Sequence, residues 1–254
     1  MSNPVKVNVV SYGGVKPGQV VVGNGADGTK TTLFDASTST NGTDMFRGYT
    51  RLTSWTVDLP NLTNGSSMFY GCTGLTSWTA ALPSLTNGPS MFYDCTRLTS
   101  WTVDLPNLTS CDRMFYRCTG LTSWTGELPN LASGTNMFCR CTGLTSWTVD
   151  LPNLEDGTYM FQYCYGLTSF SADLPNLTNG TQMFQDCNLD APSVLQILNS
   201  IPDRAAARLS AAPLHIGKNT NFKDDDDVAA LLGTTTPIAA GTYSCKGWTI
   251  TVTN

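Results

Sequence analysis

The dipeptide Met-Phe recurs along this chain at a constant interval of 23 residues. It begins at Met45, Met68, Met91, Met114, Met137, Met160 and Met183. Leucine, aromatic, glycine and cysteine positions keep the same step, and the unit reads C-T-x-L-T-S-W-T-x-x-L-P-x-L-T-x-G-x-x-M-F-x-x. A fixed period of roughly 20 to 50 residues indicates a stack of similar coils, each of which buries its apolar face against its neighbours. A stack of coils is therefore the predicted architecture.

Two segments of the unit suggest opposite faces of each coil. The segment L-T-S-W-T-V is rich in threonine and aromatic residues and is bounded by proline and glycine, which is typical of a strand. The segment G-x-x-M-F-x-x-C places apolar residues at i, i+1 and i+4, which fits a single helical or 3-10 turn. Because the coils have equal length, we expect parallel strands on one face and short helical or 3-10 turns on the other.

The unit resembles the BspA-like type of leucine-rich repeat, which keeps C-x-x-L-x-x-I and G-x-x-A-F-x-x-C. The matching positions are Cys72, Leu75, Trp78, Gly88, Met91, Phe92 and Cys95. The chain departs from that pattern in the placement of its proline and in its tryptophan, which replaces an aliphatic residue. The resemblance covers roughly residues 27–187. It implies an α/β leucine-rich-repeat solenoid, and such repeats, found in gut bacterial surface proteins and phage proteins, mostly serve adhesion and recognition.

The two ends of the chain lie outside the period. In residues 1–26, V-K-V-N-V-V and G-Q-V-V-V-G predict a small hairpin that caps the first coil or docks onto another protein. In residues 188–254 we predict a helix around Val194–Ile201, a strand at P-L-H-I-G, a helix that starts at Asp224–Asp227, and a last strand at G-W-T-I-T-V-T. The repeats of residues 27–187 would then be capped at both ends, as an open coil exposes its core.

The cysteines allow two interpretations. Six of the nine follow the 23-residue step, and coils about 5 Å apart could be joined by disulfides. Alternatively, the cysteines form a ladder of buried free thiols. We predict no metal site and no cofactor, because His215 is the only histidine and the C-R-C of Cys139–Cys141 is too short for a zinc pair. His215 is expected to be structural.

Two further columns of residues also allow two interpretations. The tryptophan column, which begins at Trp55, could be an exposed platform for sugars or an aromatic ladder in the core. An acidic column could bind Ca²⁺ or a basic partner, or form a solvated strip; it consists of Asp58, Asp104, Glu127, Asp150 and Asp173. Asp224–Asp227 lacks the spacing of a calcium loop, which favours a helix start.

The most informative positions are those that vary between units. Tyr70, Tyr93 and Tyr116 follow Met-Phe in consecutive units and should lie side by side. The arginines of the same central units are Arg113, Arg117 and Arg140. Exposed tyrosine and arginine are residue types that anchor interfaces, so these six residues are the candidate binding surface. The alternative is ordinary surface variation.

Several function classes are disfavoured. The net charge of −5 argues against a nucleic-acid partner. No apolar run approaches the roughly 18 residues of a membrane span, and the first residues lack the apolar core of a signal peptide. The sequence contains no G-x-S-x-G, H-E-x-x-H or P-loop motif, so we expect a protein that is not an enzyme.

The leading hypothesis is a recognition module of a phage particle, made in the host cytoplasm and placed on the tail or capsid. It would bind a host-surface glycan or protein, or other virion proteins through its N-terminal segment. A bacterial surface adhesin without its leader and an intracellular interaction scaffold are the alternatives.

Overall fold

The computed structural model describes residues 5–6, 19–23, 31–203, 205, 212–218 and 222–253. In chain order the elements are β1 (Val5–Lys6), β2 (Gln19–Gly23), β3 (Thr31–Asp35), β4 (Leu52–Trp55), β5 (Ser77–Trp78), β6 (Ser100–Trp101), β7 (Ser123–Trp124), β8 (Ser146–Trp147), β9 (Ser169–Phe170), α1 (Ala191–Ser200), β10 (Ala212–Lys218), α2 (Asp226–Leu232), β11 (Gly241–Cys245) and β12 (Trp248–Thr253).

The strand face of each coil carries short parallel strands, as predicted. Trp55 pairs with Trp78, Trp101 with Trp124, and Trp147 with Phe170, always across one 23-residue step. The pairing therefore groups the coils two by two, as β4–β5, β6–β7 and β8–β9. Threonine hydroxyls reinforce the stack, because Thr76 Oγ1 donates to the Thr53 carbonyl at 2.9 Å and later coils repeat this bond.

The core is a set of continuous side-chain ladders along the stack. The phenylalanines of Met-Phe stack at 5.1 to 5.6 Å between ring centroids, and the tryptophans at 5.4 to 5.9 Å. Each indole N–H donates to the carbonyl two residues later, as from Trp101 to Val103 at 2.7 Å. All five tryptophans of the repeats are buried. The tryptophan column is therefore an aromatic ladder of the core and not an exposed platform for sugars.

The face opposite the strands consists of hydrogen-bonded turns, and the prediction of helical or 3-10 turns there is wrong. Two positions in every coil have a left-handed backbone, such as Ser67 (φ 51°) and Gly71 (φ 69°), and these interrupt any helix. Between the turns, every second N–H donates to the next coil: Phe69 N–H reaches the Met91 carbonyl at 2.9 Å. Inter-coil bonds thus replace the intra-helical bonds that a longer helical turn would make.

The glycine column makes room for methionine. A Cβ atom at Gly134 would lie 2.8 Å from Sδ of Met160 in the next coil, closer than any real contact. The methionines that cover the glycine of the preceding coil are Met68, Met91, Met114, Met160 and Met183. Cys111 is the exception in this column, and it is buried.

The predicted N-terminal hairpin of residues 5–10 and 18–23 lies largely outside the described residues, because 7–18 are not described. Of its described parts, β2 pairs antiparallel with β3, and β1 lies parallel to β4. Strand β3 belongs to residues that were assigned to the first repeat. Phe34 of β3 contacts the core, with its ring 5.4 Å from Phe46 and 6.5 Å from Trp55.

The C-terminal elements agree with their predicted types. Helix α1 begins after Asp190, whose carboxylate accepts from Ser193 N–H. Helix α2 begins after Asp225, which accepts from Val228 N–H, so the acidic run is a helix start. Strand β10 lies parallel to β12 and contacts the last coil through a bridge between Gly180 and Leu214. Strand β11, which the sequence pattern missed, pairs antiparallel with β12.

Candidate functional site

The three tyrosines that follow Met-Phe form one stack. The ring of Tyr93 lies 4.5 Å from Tyr70 and 4.8 Å from Tyr116, with interplanar angles of 5° and 12°. Burial is the main cause that raises the pKa of Tyr93, and the two neighbouring tyrosines raise it further. Because the inner ring faces cover one another, the stack presents ring edges and hydroxyl groups to a ligand.

Arginines close the stack and flank it. The Arg47 guanidinium lies 4.0 Å from the ring centre of Tyr70 and covers its outer face. Arg117 Nε lies 3.2 Å from Asp94 Oδ1. Arg140 lies 4.6 Å from the ring centre of Tyr163, and hydrogen bonding with Tyr116 raises its pKa.

These arginines differ in whether an aspartate neutralises their charge. Three of them have an aspartate within 4.0 Å: Arg47 pairs with Asp44, Arg113 with Asp112, and Arg117 with Asp94. Within residues 31–203, Arg140 has no carboxylate at ion-pair distance. One cation of the group therefore remains uncompensated, although the chain as a whole is negative.

An open pocket of about 410 Å³ lies between these side chains. It is lined by Tyr93, Tyr116, Arg117 and Arg140, so four of the six predicted binding residues meet in one place. The other two are not part of the lining. Tyr70 is the end of the stack under Arg47, and Arg113 pairs with Asp112 at 2.8 Å.

The backbone beneath the two pocket arginines is left-handed. Arg117 has φ 60° and Arg140 has φ 65°. The same position in the first two coils is glycine, at Gly48 and Gly71, with φ 72° and 69°. A non-glycine residue in this conformation costs roughly 1–2 kcal/mol. Five of the seven coils have a non-glycine residue at this left-handed position: Asp94, Arg117, Arg140, Tyr163 and Asp186.

Sequence reasoning did not include three residues that shape the group. Arg47 belongs to the tyrosine column, one coil before Tyr70, while Asp94 and Tyr163 belong to the column of Arg117 and Arg140. Reading the column of Arg117 and Arg140 to both ends would have found Asp94 and Tyr163, because residues 23 apart are neighbours in the stack. The position of Arg47 beside Tyr70 follows from its column, but its place over the ring does not.

The cysteine ladder consists of free thiols. All nine cysteines are free and buried. Each of the six cysteines that follow the 23-residue step donates from Sγ to the phenylalanine carbonyl of the preceding coil, as from Cys118 to Phe92 at 3.1 Å. Burial raises the pKa of Cys72 to about 12, and it raises the others of the ladder too. Such thiols are protonated and unreactive at neutral pH.

The acidic column supports the backbone of the next coil. Asp58 accepts from Ala81 N–H at 2.7 Å, Asp104 from Glu127 N–H at 2.9 Å, and Asp150 from Asp173 N–H at 3.0 Å. These carboxylates are exposed but already hold a donor. In the described part of the chain, no group of three or more histidine, cysteine, aspartate or glutamate residues could hold a metal ion.

His215 supports the contact between the last coil and β10. Its Nδ1 accepts from Gln182 N–H at 2.9 Å, and its carbonyl accepts from Phe184 N–H at 3.1 Å. Burial lowers the pKa of the imidazole.

Among the described helices, none combines the length and the apolar character that a membrane crossing requires.

Comparison with known proteins adds a family to this geometry. The model of the BspA type leucine rich repeat region matches the chain in 6 copies, over residues 27–145 and 88–210. Among solved structures, the chain is similar to a leucine-rich repeat protein from Bacteroides ovatus, with 19% sequence identity and a TM-score of 0.41. This similarity covers 88% of the chain and 56% of that protein, so the chain spans little more than half its length. No curated protein matches the chain.

Proposed function

We propose that this chain, which belongs to the BspA-type leucine-rich-repeat family, is a non-enzymatic recognition module that binds a surface glycan or protein. The pocket between Tyr116, Arg117 and Arg140 is the observation that carries this proposal. It lies where the surface positions of the repeat change while the core positions stay constant. Surface positions are free to vary, whereas those of the core are held by packing.

The chemistry of this pocket suits binding better than catalysis. Its four lining residues supply phenol and guanidinium groups, which donate hydrogen bonds and positive charge. A nucleophile would need a neighbouring base, and no such residue belongs to this lining. The thiol nearest to it, Cys139, has a pKa raised by burial to about 11.

We further propose that the segments on either side of residues 27–187 act as caps. The support at the C-terminal end is β10, which gives the last coil a hydrogen-bonding neighbour through Gly180, Gln182 and Phe184. The support at the N-terminal end is Phe34, which packs on the first rings of the core. An uncovered terminal coil would expose apolar surface and unpaired backbone groups.

For the setting of this module we propose a phage particle, with the bacterial cell surface as the alternative. The nine free cysteines support a chain that folds in a reducing compartment, as phage proteins do in the host cytoplasm. Docking to other virion proteins would then use the N-terminal segment. Mass spectrometry of purified particles and of proteins released from intact cells by protease would decide between the two settings.

Recognition itself is tested with the purified, fluorescently labelled chain on intact bacterial cells and on a glycan array. We expect saturable binding that falls at least tenfold, or about 1.4 kcal/mol, in Arg117→Ala and much less in Asp150→Ala, which alters the strand side of the coil. Loss of binding in Asp150→Ala alone would place recognition on the strand face. Absence of binding to every surface tested would refute a recognition function.

A further inference from the structure

We propose that the ligand of the Arg117–Arg140 pocket is a saccharide that carries a carboxylate, such as a uronic or sialic acid residue. This inference rests on the proposed recognition function and names its ligand class. It depends on three features of the site: the unpaired charge, the side chains that line the pocket and the occupied ring faces.

The charge of the site selects an anion. Arg140 is held by two aromatic side chains, Tyr116 and Tyr163, and not by a carboxylate among residues 31–203. Arg117 lines the same pocket while its Nε faces Asp94, and its side chain is 52% exposed. Two guanidinium groups, which present fork-shaped pairs of donors, match the two oxygens of a carboxylate.

The tyrosines select a ligand with hydroxyl groups. The stacking of Tyr93 against Tyr70 and Tyr116 leaves no free face between the rings for an aromatic or apolar side chain. The ring edges and the phenol groups face the ligand, that of Tyr116 being already bonded with Arg140, and phenols both donate and accept hydrogen bonds. A sugar ring provides such partners, whereas a peptide usually needs a pocket for an apolar anchor. The volume of about 410 Å³ lies in the range of small-ligand sites.

The backbone at both arginines makes glycine a suitable substitution for a test. At this coil position Gly71 makes the same inter-coil bond as its counterparts: its N–H donates to Tyr93 at 2.7 Å, and Arg117 N–H donates to Cys139 at 2.9 Å. The fold therefore requires only a left-handed residue here, and glycine meets that requirement without strain. Asp94, Tyr163 and Asp186 are left-handed at the same position, so the strain belongs to the repeat, and glycine is a substitution that this backbone accepts.

The diagnostic substitution in the pocket should not damage the fold. We expect Arg117→Gly and Arg140→Gly to melt at the wild-type temperature or above, since each change relieves backbone strain. The matched control is Arg97→Gly. It removes the same side chain and charge outside the pocket, at a position where the next two coils have Gly120 and Gly143.

Binding is measured with sialyllactose and with oligogalacturonate, against lactose and the methyl ester of oligogalacturonate as neutral probes. We expect the chain to bind at least one acidic probe and to lose at least tenfold in affinity for its neutral counterpart. Each pocket variant should lose at least tenfold on the acidic probe, while Arg97→Gly loses less than twofold. The two acidic probes distinguish a sialic acid from a uronic acid.

Several outcomes would overturn the proposal. Equal binding of acidic and neutral probes would refute it. Equal losses of affinity in Arg97→Gly and in the pocket variants would refute it as well. Binding of an acidic peptide, with no binding of either acidic saccharide, would also refute it. Binding of labelled chain to intact cells is measured in parallel. Cell binding that persists when no acidic saccharide binds would refute the carboxylate ligand and leave the recognition function standing.

Discussion

Trp101 offers the sharpest test of the stacked core. Its side chain is 1% exposed, and its ring lies 5.9 Å from Trp78 and 5.4 Å from Trp124. Phe92 and Phe115 meet it edge-on at 5.0 and 4.8 Å. Trp101→Ala removes all four ring contacts at once and leaves the Val103 carbonyl without its indole donor.

The expected cost follows from these contacts. Truncation of a buried aromatic side chain destabilises a core by about 3–5 kcal/mol, and each aromatic pair adds roughly 0.5–1.5 kcal/mol beyond its buried area. We therefore expect a loss near 5 kcal/mol in the free energy of unfolding, which is a large part of the stability of an ordinary domain. Because coils contact only their neighbours, the adjoining coils should open together.

Two controls separate burial from other effects. Trp101→Phe places in this coil the residue found at Phe170, and it should cost only about 1–2 kcal/mol, because the ring is retained and the indole bond is lost. Thr102→Ala, in an exposed neighbour, should change stability by less than about 0.5 kcal/mol. Urea unfolding followed by circular dichroism gives all three values, and limited proteolysis locates the opened coils. An unfolding midpoint for Trp101→Ala equal to that of Thr102→Ala would refute the buried ladder.

Three further predictions concern groups outside the pocket. The thiols should react with a thiol reagent only on unfolding, and fast labelling of the native chain would contradict their burial. Because burial raises the pKa of the native thiols, the free energy of unfolding should fall as pH rises above about 9, by up to about 1.4 kcal/mol per thiol and pH unit. Burial lowers the pKa of His215, so the docking of β10 should be complete above its ordinary value of 6.5 and weaken as pH falls below it. Hydrogen exchange around Leu214 measures this change, and His215→Asn should reduce it. Asp150→Ala should cost about 0.5–1.5 kcal/mol in urea unfolding, because Asp173 N–H loses its acceptor; an unchanged midpoint would make the bond irrelevant.

The sequence period predicts the stack well because the coils are nearly identical. Residues 23 apart must be neighbours once one coil lies on the next, and this alone places Tyr70, Tyr93 and Tyr116 side by side. The period does not specify how a coil turns. The apolar spacing of G-x-x-M-F-x-x-C fits a helical turn, but the left-handed residues and the inter-coil bonds depend on the neighbouring coil. Local periodicity contains no information about that neighbour.

The candidate site was predictable in part for the same reason. Column positions brought Tyr93, Tyr116, Arg117 and Arg140 together, as the pocket requires. They did not reveal that the tyrosines cover one another, since ring orientation depends on side-chain torsions. Nor did they reveal the partner of each arginine. Arg113 and Arg117 differ by four residues, yet one pairs with the adjacent Asp112 and the other with Asp94 of the preceding coil.

The two faces of the stack differ in how their backbone bonds repeat along the coils, and this difference bears on where a ligand binds. On the strand side the coils are paired: Thr125 N–H donates to the Trp101 carbonyl at 2.9 Å, and corresponding bonds form within the other two pairs. The second coil of each pair has a small residue two positions after its aromatic residue, while the first coil has valine. The small residues are Ala80, Gly126 and Ala172, and the valines are Val57, Val103 and Val149.

The opposite face repeats without this alternation. The N–H of each Met-Phe phenylalanine from Phe46 to Phe161 donates to the methionine carbonyl of the next coil at 2.8 to 2.9 Å. The pocket crosses from the second coil of one pair, at Tyr93, to both coils of the next, at Tyr116 and Arg140. The tryptophans of the strand side also stack through consecutive coils, but they are buried in the core, whereas the tyrosines of the pocket are partly exposed. The uniform ladder of bonds beneath Met-Phe therefore provides the rigid support that a binding site needs.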